Sequence, residues 1–326
     1  MTKFKRIGVL TSGGDAPGMN AAIRAVVRSA IYYGMSVTGI RRGYAGMILG
    51  DFMEMTSRDV GNIIQRGGTI LRTARSDEFR TKEGRYIAYR NLVEAGIEAL
   101  IAIGGDGTFK GAKLFTEEYN YPIIGLPGTI DNDLYGTDMT IGYDTAINTA
   151  IQAIDKIRDT ASSHDRLFFV EVMGRDAGFI ALRSAIGCGA EDVLVPEVET
   201  NMDEVCANLA NSVQKTKNSG VVIVSEGDDA GGAMKIAEIV KQRLPDMDIR
   251  VSILGHLQRG GTPSAFDRYL ASKLGLAAVE ALLDDQRSVM VGLIKNETAL
   301  IPFNQAIKHH KDINRKMLEM LYILNT

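Results

Sequence analysis

The chain has only two cysteines and no long apolar run, and these absences exclude several classes of protein. Cys188 and Cys206 are too few for a disulfide framework and have no metal-ligand spacing, which fits a reducing compartment. No apolar run approaches the roughly 18 residues of a membrane-spanning helix, and the N-terminal segment lacks the apolar core of a signal peptide. We therefore expect a cytoplasmic protein with no membrane partner.

The chain also lacks an excess of basic residues. It has 37 Lys and Arg against 40 Asp and Glu, with a formal net charge of −3 at pH 7. This balance argues against nucleic acid or an anionic membrane surface as a partner. If the ligands are anions, local clusters of arginine must hold them.

What the chain does have is enough material for two domains of roughly 150 residues each. Short β-branched runs alternate with longer segments of helical period, and this order predicts an α/β fold with mainly parallel sheets covered on both faces. The predicted strands lie at 7–10, 99–103, 122–126, 167–172, 193–195, 221–225, 250–254 and 289–293. The clearest predicted helices lie near 18–33, 108–119 and 140–158.

Three glycine-rich loops directly follow predicted strands: TSGGDAPGMN (11–20), GGDGTFKG (104–111) and PGTIDNDLYG (127–136). Ligands of parallel sheets bind beyond the carboxyl ends of the strands. Glycines let backbone N–H groups approach phosphate oxygens, and a helix N-terminus adds partial positive charge. A tight turn explains any one of these loops as well, but three at neighbouring strand ends favour a phosphate site.

The aspartates in these loops indicate which kind of phosphate site this is. There is no GxxxxGK[ST], and no GxGxxG with an acidic residue about 20 positions later, so a P-loop is excluded and a dinucleotide fold is disfavoured. Asp106 lies among the glycines, where a carboxylate needs a hard cation such as Mg²⁺ between itself and a phosphate. Asp131 and Asp133, two apart in a segment expected to be extended, can point to one side and share acid–base work. The alternative is an Asx turn that caps the next helix, although Asp138 and Thr140 lie nearer to that helix.

Several arginines lie at strand ends or in loops beside glycines. A lone arginine is usually a solvated surface charge, but a group of them in such loops suits multi-donor recognition of phosphate. Together with the aspartates they predict a phosphoryl-transfer enzyme that uses a magnesium nucleotide and an anionic acceptor. They are Arg75, Arg166, Arg175, Arg250 and Arg259, the last of which follows His256 in HLQRGG.

Six stretches of the chain resemble the bacterial ATP-dependent 6-phosphofructokinase family, and the resemblance runs from residue 5 to about residue 295. The TIDND and GHLQRGG stretches are highly specific, whereas GGDG also occurs in NAD kinases and diacylglycerol kinases. The matching stretches are TSGGDAPGMNAAIR (11–24), IGGDGT (103–108), PGTIDND (127–133), EVMGR (171–175), SEG (225–227) and LGHLQRGG (254–261).

The resemblance implies two Rossmann-like three-layer domains with mainly parallel sheets and an active site in the cleft between them. The nucleotide-binding domain is expected at 1–141 and about 258–307, and the sugar-phosphate-binding domain at 142–257 and about 308–326. The implied activity is phosphoryl transfer from MgATP to the 1-hydroxyl of fructose 6-phosphate, the committed step of glycolysis. A pyrophosphate-dependent phosphofructokinase or other sugar kinase, and a catalytically silent nucleotide sensor, are the alternatives.

Residue roles follow from the resemblance position by position. Asp131 is implied as the general base, Thr129 and Asp133 as groups that position the hydroxyl and the phosphates, and Arg175 as a group that stabilises charge on the transferring phosphoryl. The implied ATP-binding residues are Gly14, Arg75, Ser76, Gly105, Asp106, Gly107 and Thr108, with Asp106 on the Mg²⁺ side. The implied substrate residues are Thr129, Asp131, Arg166, Met173, Gly174, Arg175, Glu226, Arg250, His256 and Arg259.

The resemblance also implies regulation and assembly. The family places Arg166 and Arg250 in the neighbouring subunit's site, which implies a homotetramer, and it has an effector site where ADP activates and phosphoenolpyruvate inhibits. Some members have arginine at the position of Ser57, whereas here the arginine is Arg58, so the strength of the effector response stays open. The implied effector residues are Arg24, Arg28, Arg158, Gly189, Glu191, Lys215 and Lys217.

Two glycines bear on the choice of phosphoryl donor. Pyrophosphate-using relatives resemble this chain but carry Asp at the position of Gly107 and Lys at that of Gly128. A carboxylate at 107 would repel and crowd the α-phosphate of a nucleotide, and a lysine at 128 would supply charge to the smaller donor. Glycine at both positions therefore favours ATP.

Overall fold

The computed structural model describes residues 4–214, 220–308 and 311–324. The chain divides into two compact units. Unit 1 comprises Met1–Ile130, Leu134–Thr145 and Arg259–Lys311, and unit 2 comprises Asp131–Asp133, Ala146–Gln258 and Asp312–Thr326. The domain boundaries expected from the sequence, at 141/142, 257/258 and 307/308, stay predictions.

Strands and helices alternate along most of the chain. In chain order the strands are β1 (Arg6–Thr11), β2 (Ser36–Ile40), β3 (Phe52–Met55), β4 (Ala99–Gly104), β5 (Ile123–Pro127), β6 (Arg166–Val172), β7 (Asp192–Leu194), β8 (Gly220–Ser225), β9 (Asp248–Ile253), β10 (Val289–Ile294) and β11 (Glu297–Pro302). The helices are α1 (Met19–Tyr32), α2 (Gly43–Leu49), α3 (Lys82–Glu94), α4 (Asp106–Tyr119), α5 (Tyr143–Ser162), α6 (Phe179–Cys188), α7 (Met202–Gln214), α8 (Gly232–Arg243), α9 (Ala265–Leu283), α10 (Phe303–Ala306) and α11 (Arg315–Leu324).

Unit 1 contains a seven-stranded sheet with the order β11-β10-β5-β4-β1-β2-β3. The five inner strands are parallel, and the two edge strands β3 and β11 are antiparallel to their neighbours. Every residue of β4 and β5 is buried, as expected of strands covered by helices on both faces. The strand order reverses between β1 and β4, and in open α/β sheets this switch point is where ligands bind.

Helices α1 and α9 approach each other closely in unit 1, and a small residue permits this. A Cβ at Gly275 of α9 would lie 2.6 Å from the Cβ of Ala25 and 3.1 Å from the carbonyl oxygen of Ala22, both on α1. Any side chain at this position would therefore push the helices apart. The close packing fixes α1 and α9, whose N-terminal ends adjoin the loops considered below.

Unit 2 contains a four-stranded sheet with the order β7-β8-β6-β9, in which all pairs are parallel. Its core on one face joins Phe169 of β6 and Val222 of β8 to Ile236 and Val240 of α8. The two parallel or mainly parallel sheets confirm the predicted α/β class. Within the described part of the chain, no helix is long and apolar enough to cross a membrane.

A buried carboxylate in unit 2 makes stability depend on pH. Asp192 begins β7, is 4% exposed, and accepts hydrogen bonds from the Val193 N–H and from the side chains of Asn208 and Tyr322. Burial raises the pKa of Asp192 from 3.8 to about 6, because it disfavours the charged form. The folded state therefore binds this proton more tightly than the unfolded state does. The resulting stabilisation is complete below about pH 4 and is lost as the pH rises through about 6.

We expect Asp192→Asn to remove the loss of stability that Asp192 causes as the pH rises. Between pH 4 and pH 7 the free energy of unfolding of the variant, relative to that of the native chain, should rise by up to about 3 kcal/mol. Urea unfolding across this pH range measures the difference, and Asp246→Asn, at an exposed position of the same unit, is the control. Parallel stability curves for Asp192→Asn and the native chain would contradict the prediction.

Candidate active site

The three glycine-rich loops of unit 1 are joined to one another by hydrogen bonds. The Ser12 N–H after β1 donates to the Ile103 carbonyl of β4 at 3.0 Å. The Thr108 hydroxyl returns the link by donating to the Ser12 carbonyl at 3.1 Å, and the Gly128 N–H donates to the Gly104 carbonyl at 3.0 Å. The loops after β1, β4 and β5 therefore form one continuous edge, as the sequence predicted for neighbouring parallel strands. The Thr108 hydroxyl donates to the first of these loops from the second, and this hydrogen bond holds the two loops together.

The loop after β4 leads directly into α4, whose first residue is Asp106. A Cβ at Gly107 would meet no atom within 4 Å, so space is open beside this backbone. The Nζ of Lys110 lies 2.6 Å from Oδ2 of Asp106, one helical turn away. Gly105 precedes the helix in an extended conformation, so α4 begins with glycine amides and a carboxylate on its open N-terminal side. Such an N-terminus suits phosphate oxygens and a cation together.

Arg259 lies against the first glycine-rich loop. A Cβ at Gly14 would be 3.0 Å from Nη1 of Arg259, so the glycine lets the guanidinium approach the backbone. The resemblance assigned Gly14 to ATP and Arg259 to the substrate phosphate. The structure brings the two residues together within unit 1.

A further segment of unit 1, residues 66–76, is fastened beside these loops. The fully buried amide of Asn20 donates to the carbonyls of Arg66 and Gly67 at 3.1 Å each and accepts from the Ile70 N–H at 2.8 Å. The Thr73 hydroxyl donates to the Gly13 carbonyl at 2.6 Å. This segment carries the predicted ATP ligands Arg75, which is exposed, and Ser76, whose hydroxyl accepts from the Phe79 N–H at 3.2 Å.

The segment that carries Asp131 differs from the sequence prediction in one respect. Asn132 has φ of 54°, in the left-handed region, so the segment is not extended and the alternation argument for Asp131 and Asp133 was wrong. Asn132 is 2% exposed, whereas both aspartates are half-buried. The side-chain carboxylates flank a buried residue at a turn.

The N-terminus of α5 is capped from a distant part of the chain. Asp267, in the first turn of α9, accepts hydrogen bonds from the N–H groups of Gly142 at 2.9 Å and Thr145 at 2.8 Å, and from the Thr145 hydroxyl at 2.5 Å. The Asp138 carboxylate accepts instead from the Lys295 N–H at 2.7 Å. These amides of the helix start are thus satisfied without Asp131, which weakens the alternative interpretation of that residue as a helix cap.

Unit 2 presents its own group of predicted residues at the carboxyl ends of β6 and β8. Gly174 has φ of 150°, and a Cβ there would lie 2.3 Å from the Ala177 carbonyl oxygen, so glycine is required. Arg175 follows with φ of 56°, an uncommon conformation for a residue with a side chain, and its N–H donates to Oε1 of Glu226 at 2.8 Å. Backbone strain of this kind is common at functional sites.

His256 and Met173 are linked through a residue that sequence reasoning missed. Gln258 is fully buried, and its Oε1 accepts from the Met173 N–H at 3.3 Å while its Nε2 donates to the Gly255 carbonyl at 3.1 Å. The 3₁₀ turn Gly255–Arg259, which carries exposed His256, is thereby tied to the end of β6. A glutamine within HLQRGG gave no sequence signal of this role, because its partner lies 85 residues away.

Arg166 and Arg250 meet on one carboxylate at the opposite end of the unit 2 strands. Nε of Arg166 lies 2.8 Å from Oδ2 of Asp248, and Nη1 of Arg250 lies 2.8 Å from Oδ1. The Arg166 hydrogen bond, followed by the charge of Arg250, lowers the pKa of Asp248. Since β6 rises about 3.3 Å per residue, Arg166 stands about 20 Å from the carboxyl end of that strand, where Met173 begins the next loop.

The comparisons with known proteins decide the family. A family model described as phosphofructokinase matches residues 6–282. The chain belongs to the phosphofructokinase family. It is 58% identical over 321 residues to ATP-dependent 6-phosphofructokinase 2 of Bacteroides thetaiotaomicron, covering 98% of both chains. It is also 58% identical to ATP-dependent 6-phosphofructokinase 1 of Thermus thermophilus, covering 98% of this chain and 99% of that one.

A solved phosphofructokinase structure agrees with this assignment. The structure from Saccharomyces cerevisiae superposes with a TM-score of 0.88 at 37% identity, covering 98% of this chain and 47% of the yeast chain. This chain therefore spans about half the length of that relative. The family predicted from the six motifs is confirmed.

Three of the residues that the resemblance implies for effector binding lie together in unit 2. Nη2 of Arg158 donates to the carbonyls of Cys188 at 2.9 Å and Gly189 at 2.8 Å, at the end of α6, and Nη1 lies 3.8 Å from Glu191. Arg158, Gly189 and Glu191 are thus neighbours, although 30 residues separate Arg158 from Cys188. The expected effector residues Lys215 and Lys217 lie outside the described residues.

Arg24 and Arg28 lie one turn apart on α1 in unit 1. Burial, and then the charge of Arg28, lowers the pKa of Arg24. Two guanidinium groups placed this close repel each other, and an anion between them would relieve the repulsion. Their role in effector binding stays a prediction.

The two glycines of the donor argument differ in their surroundings. Gly107 borders open space, whereas a Cβ at Gly128 would lie 2.9 Å from Cγ2 of Ile103 and 3.1 Å from Cε of Met19. Packing alone therefore favours glycine at 128. The donor argument rests on Gly107.

Proposed function

We propose that this chain transfers the γ-phosphoryl group of ATP to the 1-hydroxyl of fructose 6-phosphate, giving fructose 1,6-bisphosphate and ADP in the committed step of glycolysis. The observation that carries the proposal is the joined set of three loops at the switch point of unit 1, which places the glycine amides beside the segment of Thr129. The names of the relatives at 58% identity support the same donor and acceptor.

The donor is bound by the loops of unit 1. Backbone N–H groups of Gly14, Gly105 and Gly107 approach the phosphate oxygens, and the 14-residue helix α4 directs its positive end toward them. Arg75 and Ser76 complete the ATP site from the segment that Asn20 fastens. Thr108 contributes by holding two of the loops together.

The residues present fit a magnesium ion that arrives with the nucleotide. Mg²⁺ is commonly held by one or two carboxylates, with substrate phosphates and water as its other ligands, and Asp106 supplies one carboxylate beside the open backbone of Gly107. No cluster of three or more metal-ligating side chains occurs among the residues that the structure describes. Asp106 would hold the ion, which when bound neutralises charge on the β- and γ-phosphates.

Asp131 acts as the general base. Its carboxylate accepts the proton of the sugar 1-hydroxyl while the bond from that oxygen to the γ-phosphorus forms and the bond from phosphorus to the β-phosphate oxygen breaks. Thr129 and Asp133 orient the hydroxyl and the phosphates. Arg175 stabilises the charge that spreads over the transferring oxygens.

The acceptor is held by residues at the carboxyl ends of the unit 2 strands and by Arg259. Met173, Gly174 and Glu226 contact the sugar, and their loops are mutually fixed by the Arg175–Glu226 hydrogen bond. His256 and Arg259 bind the 6-phosphate. The left-handed backbone at Arg175 is consistent with a residue held for function.

Arg166 and Arg250 bind the sugar phosphate in the site of a neighbouring subunit, within a homotetramer. The position of Arg166 at the start of β6 supports this division, because the two ends of that strand lie about 20 Å apart and cannot both reach one phosphate. Asp248 keeps the two guanidinium groups side by side until a second chain's substrate is near.

Mixing two defective variants tests the shared site. Asp131→Asn and Arg166→Ala subunits, each of low activity alone, should regain up to about a quarter of native activity when reassembled together, because some hybrid sites are then complete. The activity of the mixture against that of each variant measures this. A mixture no more active than the sum of its parts would contradict shared sites.

ADP activates and phosphoenolpyruvate inhibits through the effector residues. Arg158, Gly189 and Glu191 form one group in unit 2, and Arg24 and Arg28 contribute a basic pair on α1. Lys215 and Lys217 are expected to take part.

Coupled assays of fructose 1,6-bisphosphate and of ADP formation, run side by side, test the proposed function. The native chain is given MgATP with fructose 6-phosphate, MgATP alone, or magnesium pyrophosphate with fructose 6-phosphate. We expect rapid turnover only in the first mixture. Turnover only with pyrophosphate would replace the donor assignment, and no turnover in any mixture would favour a nucleotide sensor.

A further inference from the structure

Asp267 is an unusual helix cap because it is both buried and remote. Its side chain is 0% exposed, and it lies on α9, more than 120 residues from the start of α5 that it caps. Residue 142, directly before α5, is a glycine with φ of 105°, so the helix has no side chain of its own at that position. A serine or threonine there would cap the helix locally at much lower cost.

Burying this carboxylate disfavours its charged form, and the pKa of Asp267 is raised as a result. Burial raises its pKa from 3.8 to about 6, against the opposing effect of the hydrogen bonds from Thr145 and Gly142. A buried carboxylate is weak evidence for stability, because desolvation offsets much of the gain from its partners. Orientation of the attached segments is a better reason for such a group than stability is.

Residues 140–142 connect Asp267 to the segment of Thr129 through hydrogen bonds. Gly142, whose N–H donates to Asp267, follows Ile141, whose N–H donates to the Pro127 carbonyl at 2.8 Å. The preceding Thr140 is fully buried, and its hydroxyl donates to the Thr129 carbonyl at 2.6 Å. Residues 140–142 therefore run beside residues 127–129, with Asp267 behind them.

The end of the first glycine-rich loop lies close to the same residue. A Cβ at Gly18 would lie 2.7 Å from Cγ2 of Ile141 and 3.6 Å from the Cβ of Asp267. Gly18 ends the loop that begins at Ser12, and α1 starts at the next residue. Asp267 thus lies beside the end of the first glycine-rich loop and is linked through residues 140–142 to the segment of Thr129.

We propose that Asp267 is a positioning residue: it fixes residues 127–129 and 140–142 relative to the first glycine-rich loop, so that Thr129 keeps its place beside the loop proposed to bind ATP. The proposal rests on the proposed function for its kinetic consequence, whereas its structural part stands by itself. A displacement of about 1 Å in an active site can cost roughly 10²-fold in rate.

The first test is kinetic. Asp267→Asn keeps the shape of the side chain but can no longer accept from both Gly142 and Thr145, so kcat should fall by about 10- to 100-fold with each KM changed less than about threefold. Glu118→Gln is the matched control, since Glu118 pairs with buried Arg85 in the same unit, at the far end of α4. It should lower the melting temperature and leave kcat within about twofold of the native value.

A second variant and a second readout keep the test decisive if Asp267→Asn folds poorly. Thr140→Val removes only the hydroxyl that donates to Thr129, and it should also lower kcat by about tenfold. If Asp267 acts through Thr140, the double variant should lose less than the product of the two single losses. Amide hydrogen exchange over residues 127–145 should accelerate in Asp267→Asn and stay unchanged in Glu118→Gln.

The outcomes separate this inference from the proposed function. Native kcat in Asp267→Asn, or equal losses of kcat in Asp267→Asn and Glu118→Gln, would overturn the positioning role. Unchanged exchange over residues 127–145 would overturn it even if the chain proved inactive with fructose 6-phosphate. Absence of activity in the native chain would instead count against the proposed function alone.

Discussion

Replacing Asp131 by asparagine is expected to lower kcat by a factor of about 10² to 10⁴, the usual effect of removing a general base. Asparagine fills the same volume but cannot take the proton of the sugar 1-hydroxyl. Binding of both substrates should change little, because the proton transfer matters in the transition state and not in the ground state. Steady-state kinetics with MgATP and fructose 6-phosphate measures kcat and both KM values.

Asp138→Asn is the matched control for this experiment. Asp138 lies on the same stretch after β5 and is exposed, but its carboxylate accepts from the Lys295 N–H. It should keep kcat within about threefold of the native value, as surface substitutions usually do. Equal kcat in Asp131→Asn and the native chain would show that Asp131 is a turn residue.

Gly107→Asp is expected to weaken ATP use by about 10²-fold or more in kcat/KM. A carboxylate placed some 4 to 5 Å from a phosphate at the protein surface is repelled by roughly 3 kcal/mol. The structure makes this substitution informative because a Cβ at 107 meets no atom within 4 Å. The fold should therefore accept the new side chain, and a loss of ATP use then reports on the ligand.

Gly107→Ala separates charge from bulk in this experiment. Alanine also fits the open space and suits the second residue of α4, so ATP kinetics should stay within a few-fold of native. Comparable losses in the alanine and aspartate variants would refute the electrostatic account of donor choice. Unchanged ATP kinetics in Gly107→Asp would refute the role of this position altogether.

Most of the strands with continuous apolar runs could be predicted from the sequence, whereas the inner strand β2 and the edge strands β3 and β11 could not. Runs such as those of β4 and β8 are apolar throughout and buried at every position, so their pattern is unambiguous. The strands β2, β3 and β11 were not predicted. SVTGI contains a glycine, FMEM has four residues, and ETALIP ends in proline and is mostly exposed, so none has a strong strand pattern.

In the candidate site, residues within short sequence motifs could be predicted, whereas residues whose partners are far away in the sequence could not. The glycine loops and their aspartates could be found because each motif is a short stretch at the end of a strand. Asn20, Gln258 and Asp267 were missed because their partners lie 46 to 125 residues away and nothing near them in sequence signals the contact. The left-handed conformation of Asn132 was missed too, since asparagine permits that conformation without requiring it.

The phosphorus NMR spectrum of the native chain with MgATP and fructose 6-phosphate tests the central claim most directly. The account predicts loss of the γ-phosphate signal, appearance of ADP, and a second sugar phosphomonoester on carbon 1 in equal amount. ADP together with free inorganic phosphate, or a phosphate on another sugar carbon, would contradict transfer to the 1-hydroxyl.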